Sequence, residues 1–171
     1  MRTDQDQPQA VMGENMSAAA KNGNTMNDVK DLPASAMSAL AEHSAQGREA
    51  LRQGNILAAE KHFLAAWGAI PQPQLEYDYA QSLTVALTEF YRDTGQPAKA
   101  MRWLAMAREA YGPQPNPHTE FLAATVSYEA GDFDEAYRLF DQLFKQYNRR
   151  PFQEARQEYL SFYLDRAGKA T

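Results

Sequence analysis

The 171-residue chain contains no cysteine. That absence removes disulfides, thiolate catalysis, Cys-ligated zinc and an acylated lipoprotein anchor together. Aromatic residues are missing from the first 62 positions: the two Trp, nine Tyr and eight Phe all lie between Phe63 and Tyr163. Aromatics supply much of a core's buried area, so folding information is concentrated from Ala36 onward. No apolar run approaches the ~18 residues of a membrane span. The first residues carry Arg2, Asp4 and Asp6 with no apolar h-region, so no signal peptide is legible and a soluble, cytoplasmic protein is expected. Basic clusters are scarce as well. Seventeen Lys and Arg stand against 22 Asp and Glu, for a net charge of −5, which argues against free nucleic acid or an anionic membrane as partner. The longest basic feature, Arg149-Arg150, falls at the end of an expected helix, where it complements the helix dipole.

Residues 1–34 are rich in Gln, Asn, Asp, Met and Ala and show no periodic apolar face. Such a segment cannot offset its own ordering entropy and reads as a flexible tail. Residues 35–171 then form one folded domain.

What is present is a repeat. Three segments align on a glycine: Gly54-Asn55-Ile56-Leu57-Ala58-Ala59, Gly95-Gln96-Pro97-Ala98-Lys99-Ala100 and Gly131-Asp132-Phe133-Asp134-Glu135-Ala136. An alanine follows each glycine by five residues, and a large apolar residue (Phe63, Leu104, Phe140) follows four later. Ala66, Ala107 and Leu143 extend the same face, and each segment ends at a turn containing Pro71, Pro113 or Pro151. Glycine suits a tight interhelical turn that a Cβ would oppose. The alanine lets two helices approach, the large residue fills the gap one turn later, and proline ends the helix.

This pattern resembles the tetratricopeptide repeat family, most closely in Ala130-Gly131-Asp132-Phe133-Asp134-Glu135-Ala136, and the likeness covers residues 36–150. Gly47 and Ala124 fall at the family's small position in the first helix of repeats one and three. Tyr91 falls at its aromatic position, while Thr88 departs from the small position in repeat two. The resemblance implies an all-α, right-handed solenoid of three helical hairpins. The glycine spacings of 41 and 36 residues exceed the family's ~34. The first excess predicts a lengthened helix from Gln74 to Thr94 with the stripe Leu75, Tyr79, Leu83, Leu87 and Phe90. A final helix, 152–167, reads as the cap that covers the solenoid's apolar edge.

No residue is assigned to catalysis, to a cofactor or to a metal. His43, His62 and His118 lack metal-ligand spacing and read as packing or surface residues. Asp132, Asp134 and Glu135 coincide with the start of a helix, where acids favour the dipole. No phosphate loop, nucleophile elbow or zinc-hydrolase helix is present. An enzyme is therefore not expected.

The family resemblance implies binding along the concave face of the first helices. Carried over position by position, that surface comprises Arg48, Leu51, Arg52, Val85, Glu89, Arg92, His118, Phe121, Thr125 and Tyr128. Phe121 and Tyr128 are the anchor candidates, unless they pack beneath the final helix. Tyr159, Phe162 and Tyr163 form a possible second surface. The carboxylate clamp of chaperone adaptors is absent, because its places hold Ser44, Arg48, Ala86, His118 and Leu122. The resemblance implies a protein partner, and the final-helix residues Phe152, Gln153, Tyr159, Phe162 and Tyr163 resemble those of short bacterial immunity (antitoxin-like) proteins, which implies a toxin or effector to be neutralised. A secretion-type chaperone substrate, or further copies of the same chain in a homo-oligomeric scaffold, are the alternatives. An acidic surface favours a cationic toxin domain.

Overall fold

The computed structural model describes residues 29–169, which are all-helical apart from an isolated bridge between Lys30 and Tyr77. Six helices pair as three hairpins: α1 (Ala34–Arg52) with α2 (Ile56–Gly68), α3 (Tyr79–Asp93) with α4 (Pro97–Tyr111), and α5 (Pro117–Glu129) with α6 (Phe133–Tyr147). A seventh helix, α7 (Gln157–Lys169), follows a short 3-10 turn at Arg150–Phe152.

The three hairpin turns share one geometry. Gly54, Gly95 and Gly131 have φ of 74°, 70° and 79°, the left-handed region that disfavours a Cβ. In each, the residue after the glycine donates its N–H to the carbonyl five residues back, at 2.9 Å: Asn55 to Ala50, Gln96 to Tyr91 and Asp132 to Ser127. These bonds satisfy a carbonyl that the end of the first helix would leave orphaned. Asn55 and Asp132 then cap the second helix by accepting from the Ala58 and Glu135 N–H groups, and Pro97 opens α4 at a position where no N–H is needed. The acids of 132–135 are capping and surface groups: Asp134 pairs with Arg166, and Glu135 with Arg138 at 2.6 Å.

The repeat register is visible in the packing. Ala59, Ala100 and Ala136 are each 0 % exposed. A Cβ at Gly47 would stand 2.6 Å from Phe63 Cε1, so a methyl group there would force the Phe63 ring out of its place between α1 and α2. Thr88, the departure in hairpin two, is buried without penalty because its hydroxyl donates to the Thr84 carbonyl at 2.7 Å.

Three boundaries differ from the sequence expectation. The lengthened helix from Gln74 does not form. A 3-10 turn at Gln74–Glu76 is followed by extended Tyr77, and α3 starts at Tyr79, with the Tyr79 N–H donating to the Asp78 carboxylate at 2.8 Å. Residues 1–28 of the expected tail lie outside the described residues, but its last part is docked. The Lys30 N–H donates to the Glu76 carbonyl at 2.7 Å, the Asp78 N–H to the Lys30 carbonyl at 3.2 Å, and Leu32 is 6 % exposed in the core of the first two hairpins. The same pairing explains both differences, because Tyr77 must be extended to receive Lys30. The last helix starts at Gln157 rather than at residue 152. Phe152 closes the 3-10 turn instead, with its ring buried against Phe140.

Candidate functional site

The structure divides the expected concave surface into two unlike halves. At the α5 end, α7 lies over it. The Phe121 ring contacts those of Phe140, Phe152 and Tyr159 at centroid distances of 5.6, 5.2 and 6.4 Å. Tyr128 meets Tyr159 edge-on at 5.3 Å and Phe162 at 5.1 Å. Thr125 is 1 % exposed, and its hydroxyl donates to the Leu122 carbonyl while accepting from Arg92 at 2.9 Å. Val85 is also interior. Val85, Phe121, Thr125 and Tyr128 therefore do not form an open binding row; Phe121 and Tyr128 support the last helix, and Val85 and Thr125 are buried. The proposed second surface is corrected in the same way. Tyr159 and Tyr163 are buried, and Phe162 is half-buried against Tyr128 and Phe133. The physical reason is one of area: a row of exposed aromatics is stable only when covered, and α7 supplies the cover.

A polar lock fixes the start of α7. Arg156 reaches the carboxylates of Asp93 and Glu129, the acids at the ends of α3 and α5, at 2.7 and 2.9 Å. Arg92, largely buried, shares Asp93. The Tyr159 hydroxyl donates to Glu129 at 2.8 Å. Burial pushes the Tyr159 phenol upward, and the Glu129 carboxylate that accepts its proton adds to the shift.

The other half of the surface is open. Between α1 and α3 lies a cleft of about 340 Å³ lined by Leu51, Ile56, Phe63, Leu83, Ala86, Leu87, Glu89, Phe90, Asp93 and Thr94. It exists because α5 packs along both α3 and α4, whereas α3 meets the first hairpin chiefly through α2. Phe63 against Phe90 and Trp67 against Trp103, both edge-on at 5.2 and 5.3 Å, hold the two hairpins together behind the cleft. Lys99 and Tyr91 join them again by donating to Glu60 at 2.6 and 2.9 Å. Of the expected residues, Leu51 and Glu89 line this opening, while Arg48 and Arg52 are exposed on the same helix as Leu51. His118 sits apart at the start of α5, stacked on Tyr111. Ala86, Ile56 and Leu87 were not among the expected binding residues. Ala86 had a signal in the sequence, because it stands at one of the clamp positions on the expected concave face.

The chain matches no model of a known protein family, no curated protein and no solved structure. Among the described residues, no helix is long and apolar enough to cross a membrane, and no group of three or more His, Asp or Glu side chains is placed to hold a metal ion. The cleft offers apolar contact area with charge at its edge.

Proposed function

We propose that this chain is a non-catalytic, tetratricopeptide-type binding module whose working surface is the α1–α3 cleft. The observation that carries the reading is the combination of Leu51, 39 % exposed, with an apolar floor of Phe63, Leu83, Leu87 and Phe90 in one open groove. A leucine left half in water beside a groove that can accept apolar side chains is the kind of surface that gains by burial on association. Arg48, Arg52 and Glu89 supply a polar rim. The partner class that best suits the acidic balance of the chain, −5 overall, is a cationic protein such as a toxin or effector domain, which the module would neutralise by occupying it.

The test exploits Ala86, which is exposed and helical, so that Ala86→Arg fills the cleft without burying a charge. The variant and the wild type would be used to capture partners from native cells, and the captured protein then expressed with and without the module. A partner held by the wild type, lost by Ala86→Arg, and toxic only when expressed alone supports the full reading. Equal capture by both proteins sinks the cleft as the binding surface. A captured partner that is harmless alone keeps the cleft and removes toxin neutralisation.

A further inference from the structure

We propose that the pocket between the start of α5 and the end of α6 is a binding site for a small aromatic carboxylate, held by Arg150. The pocket has a volume of about 560 Å³ and is lined by Pro117, His118, Phe121, Tyr147, Arg150 and Pro151. That size lies within the ~300–1,000 Å³ of small-molecule sites, and the lining matches theirs, since apolar and aromatic walls surround a few polar groups. No residue is shared with the cleft between α1 and α3, so the site stands independently of the function proposed above.

The fold builds the pocket by turning the chain back. Helix α6 ends at Tyr147, and Asn148, with φ of 55°, sends the backbone off the helix axis. Asparagine is one of the few residues that tolerate that conformation. Arg150 and Pro151 then form the 3-10 turn, which Phe152 anchors with its buried ring 5.2 Å from those of both Phe121 and Phe140. On the other wall, His118 and Phe121 are one turn apart on α5 and share a face. The His118 ring is stacked on Tyr111 at 6.0 Å, so each wall is held by packed side chains.

Charge selects the ligand. The chain as a whole carries −5, yet no Asp or Glu lines this pocket. Glu120, the nearest acid along α5, is engaged by Arg108 at 2.9 Å. Arg150 is exposed, and its guanidinium has no ion-pair partner among the described residues. Nor does it serve the α6 dipole: the helix ends before Arg149, and Lys145 is the base of its last turn. A guanidinium is a planar fork of N–H donors that fits the two oxygens of a carboxylate. The His118 imidazole and the Tyr147 hydroxyl add further donors to the lining. One guanidinium matches the single charge of a carboxylate, whereas a phosphate dianion calls for more. Phe121, Tyr147 and the two prolines offer apolar area to the ring.

The experiment titrates the isotope-labelled full chain with 3-phenylpropionate and follows amide and imidazole resonances by NMR. Saturable shifts should centre on residues 117–121 and 147–151. Arg150→Gln should raise the Kd at least tenfold, and so should replacing the probe by its neutral amide. Arg149→Gln should leave the Kd within twofold, because Arg149 carries the same charge but does not line the pocket. Both arginines are exposed, and circular dichroism checks that each variant is folded. Absence of saturation at tens of millimolar probe overturns the site. Equal losses for the two arginine variants overturn it too, because they would mean a diffuse cationic surface. Equal binding of the acid and its amide overturns carboxylate recognition, and tighter binding of phenyl phosphate or of a peptide ending in phenylalanine overturns the ligand class.

Discussion

Replacing Tyr159 tests whether α7 is part of the core or merely rests on it. The side chain is 2 % exposed and its ring touches those of Phe121, Tyr128 and Phe140. An aromatic buries ~150–250 Å², worth about 4–6 kcal/mol by area. Substitutions of large core aromatics by Ala cost ~3–5 kcal/mol. Tyr159→Ala should fall in that second range, and for a domain of this size the melting temperature should drop by roughly 10–20 °C. Tyr159→Phe separates the hydroxyl from the ring. It removes only the donation to Glu129, which keeps Arg156 at 2.9 Å and is partly hydrated, so the cost should be about 1 kcal/mol. Urea unfolding followed by far-UV circular dichroism and by tyrosine and tryptophan fluorescence gives both numbers. If Tyr159→Ala unfolds at the wild-type midpoint, α7 is not packed as described and the groove at α5 is open after all. If the two probes separate in the wild type, α7 unfolds as its own unit rather than together with the hairpins.

Three further outcomes are expected. Ala136 is wholly buried, so Ala136→Leu should overpack α5 against α6 and cost ~1–3 kcal/mol, while Ala105→Leu on the exposed side of α4 should change the melting temperature little. Leu32→Ala should cost ~2–4 kcal/mol, because Leu32 belongs to the core despite lying in a segment of tail-like composition; a neutral result would return the domain boundary to residue 34. Acid should loosen the junction of hairpins one and two. Lys99's hydrogen bond, followed by that of Tyr91, holds the Glu60 carboxyl below its usual 4.5 against the opposing effect of burial. A depressed carboxylate stabilises the fold above that value and loses its contribution as the pH falls below it. Glu60→Gln should therefore flatten the fall of stability with pH below 4.5, and an unchanged slope would show the pair to be inert.

The sequence by itself determined the hairpins. Gly54, Gly95 and Gly131 stand at turns whose backbone only glycine adopts easily, and the alanines five residues later mark where helices touch; both are local requirements, so they leave a periodic trace. The start of the last repeat's second helix at the acids Asp132, Asp134 and Glu135 was legible for the same reason. The docking of residues 29–33 was not, because Leu32 is a single apolar residue in a polar stretch and its burial depends on Tyr77, 45 positions away. Nor could the sequence decide the concave face. Phe121, Tyr128, Tyr159 and Tyr163 read equally well as anchors for a partner or as a cap, since a helical period shows that residues share a face and not what covers it. Tertiary structure settled that by bringing α7 across α5 and tying Arg156 to Asp93 and Glu129. It also set Arg150 in one pocket with His118, two residues on separate elements that no spacing rule links. Contacts between distant segments carry no periodicity, so only the assembled fold could decide them.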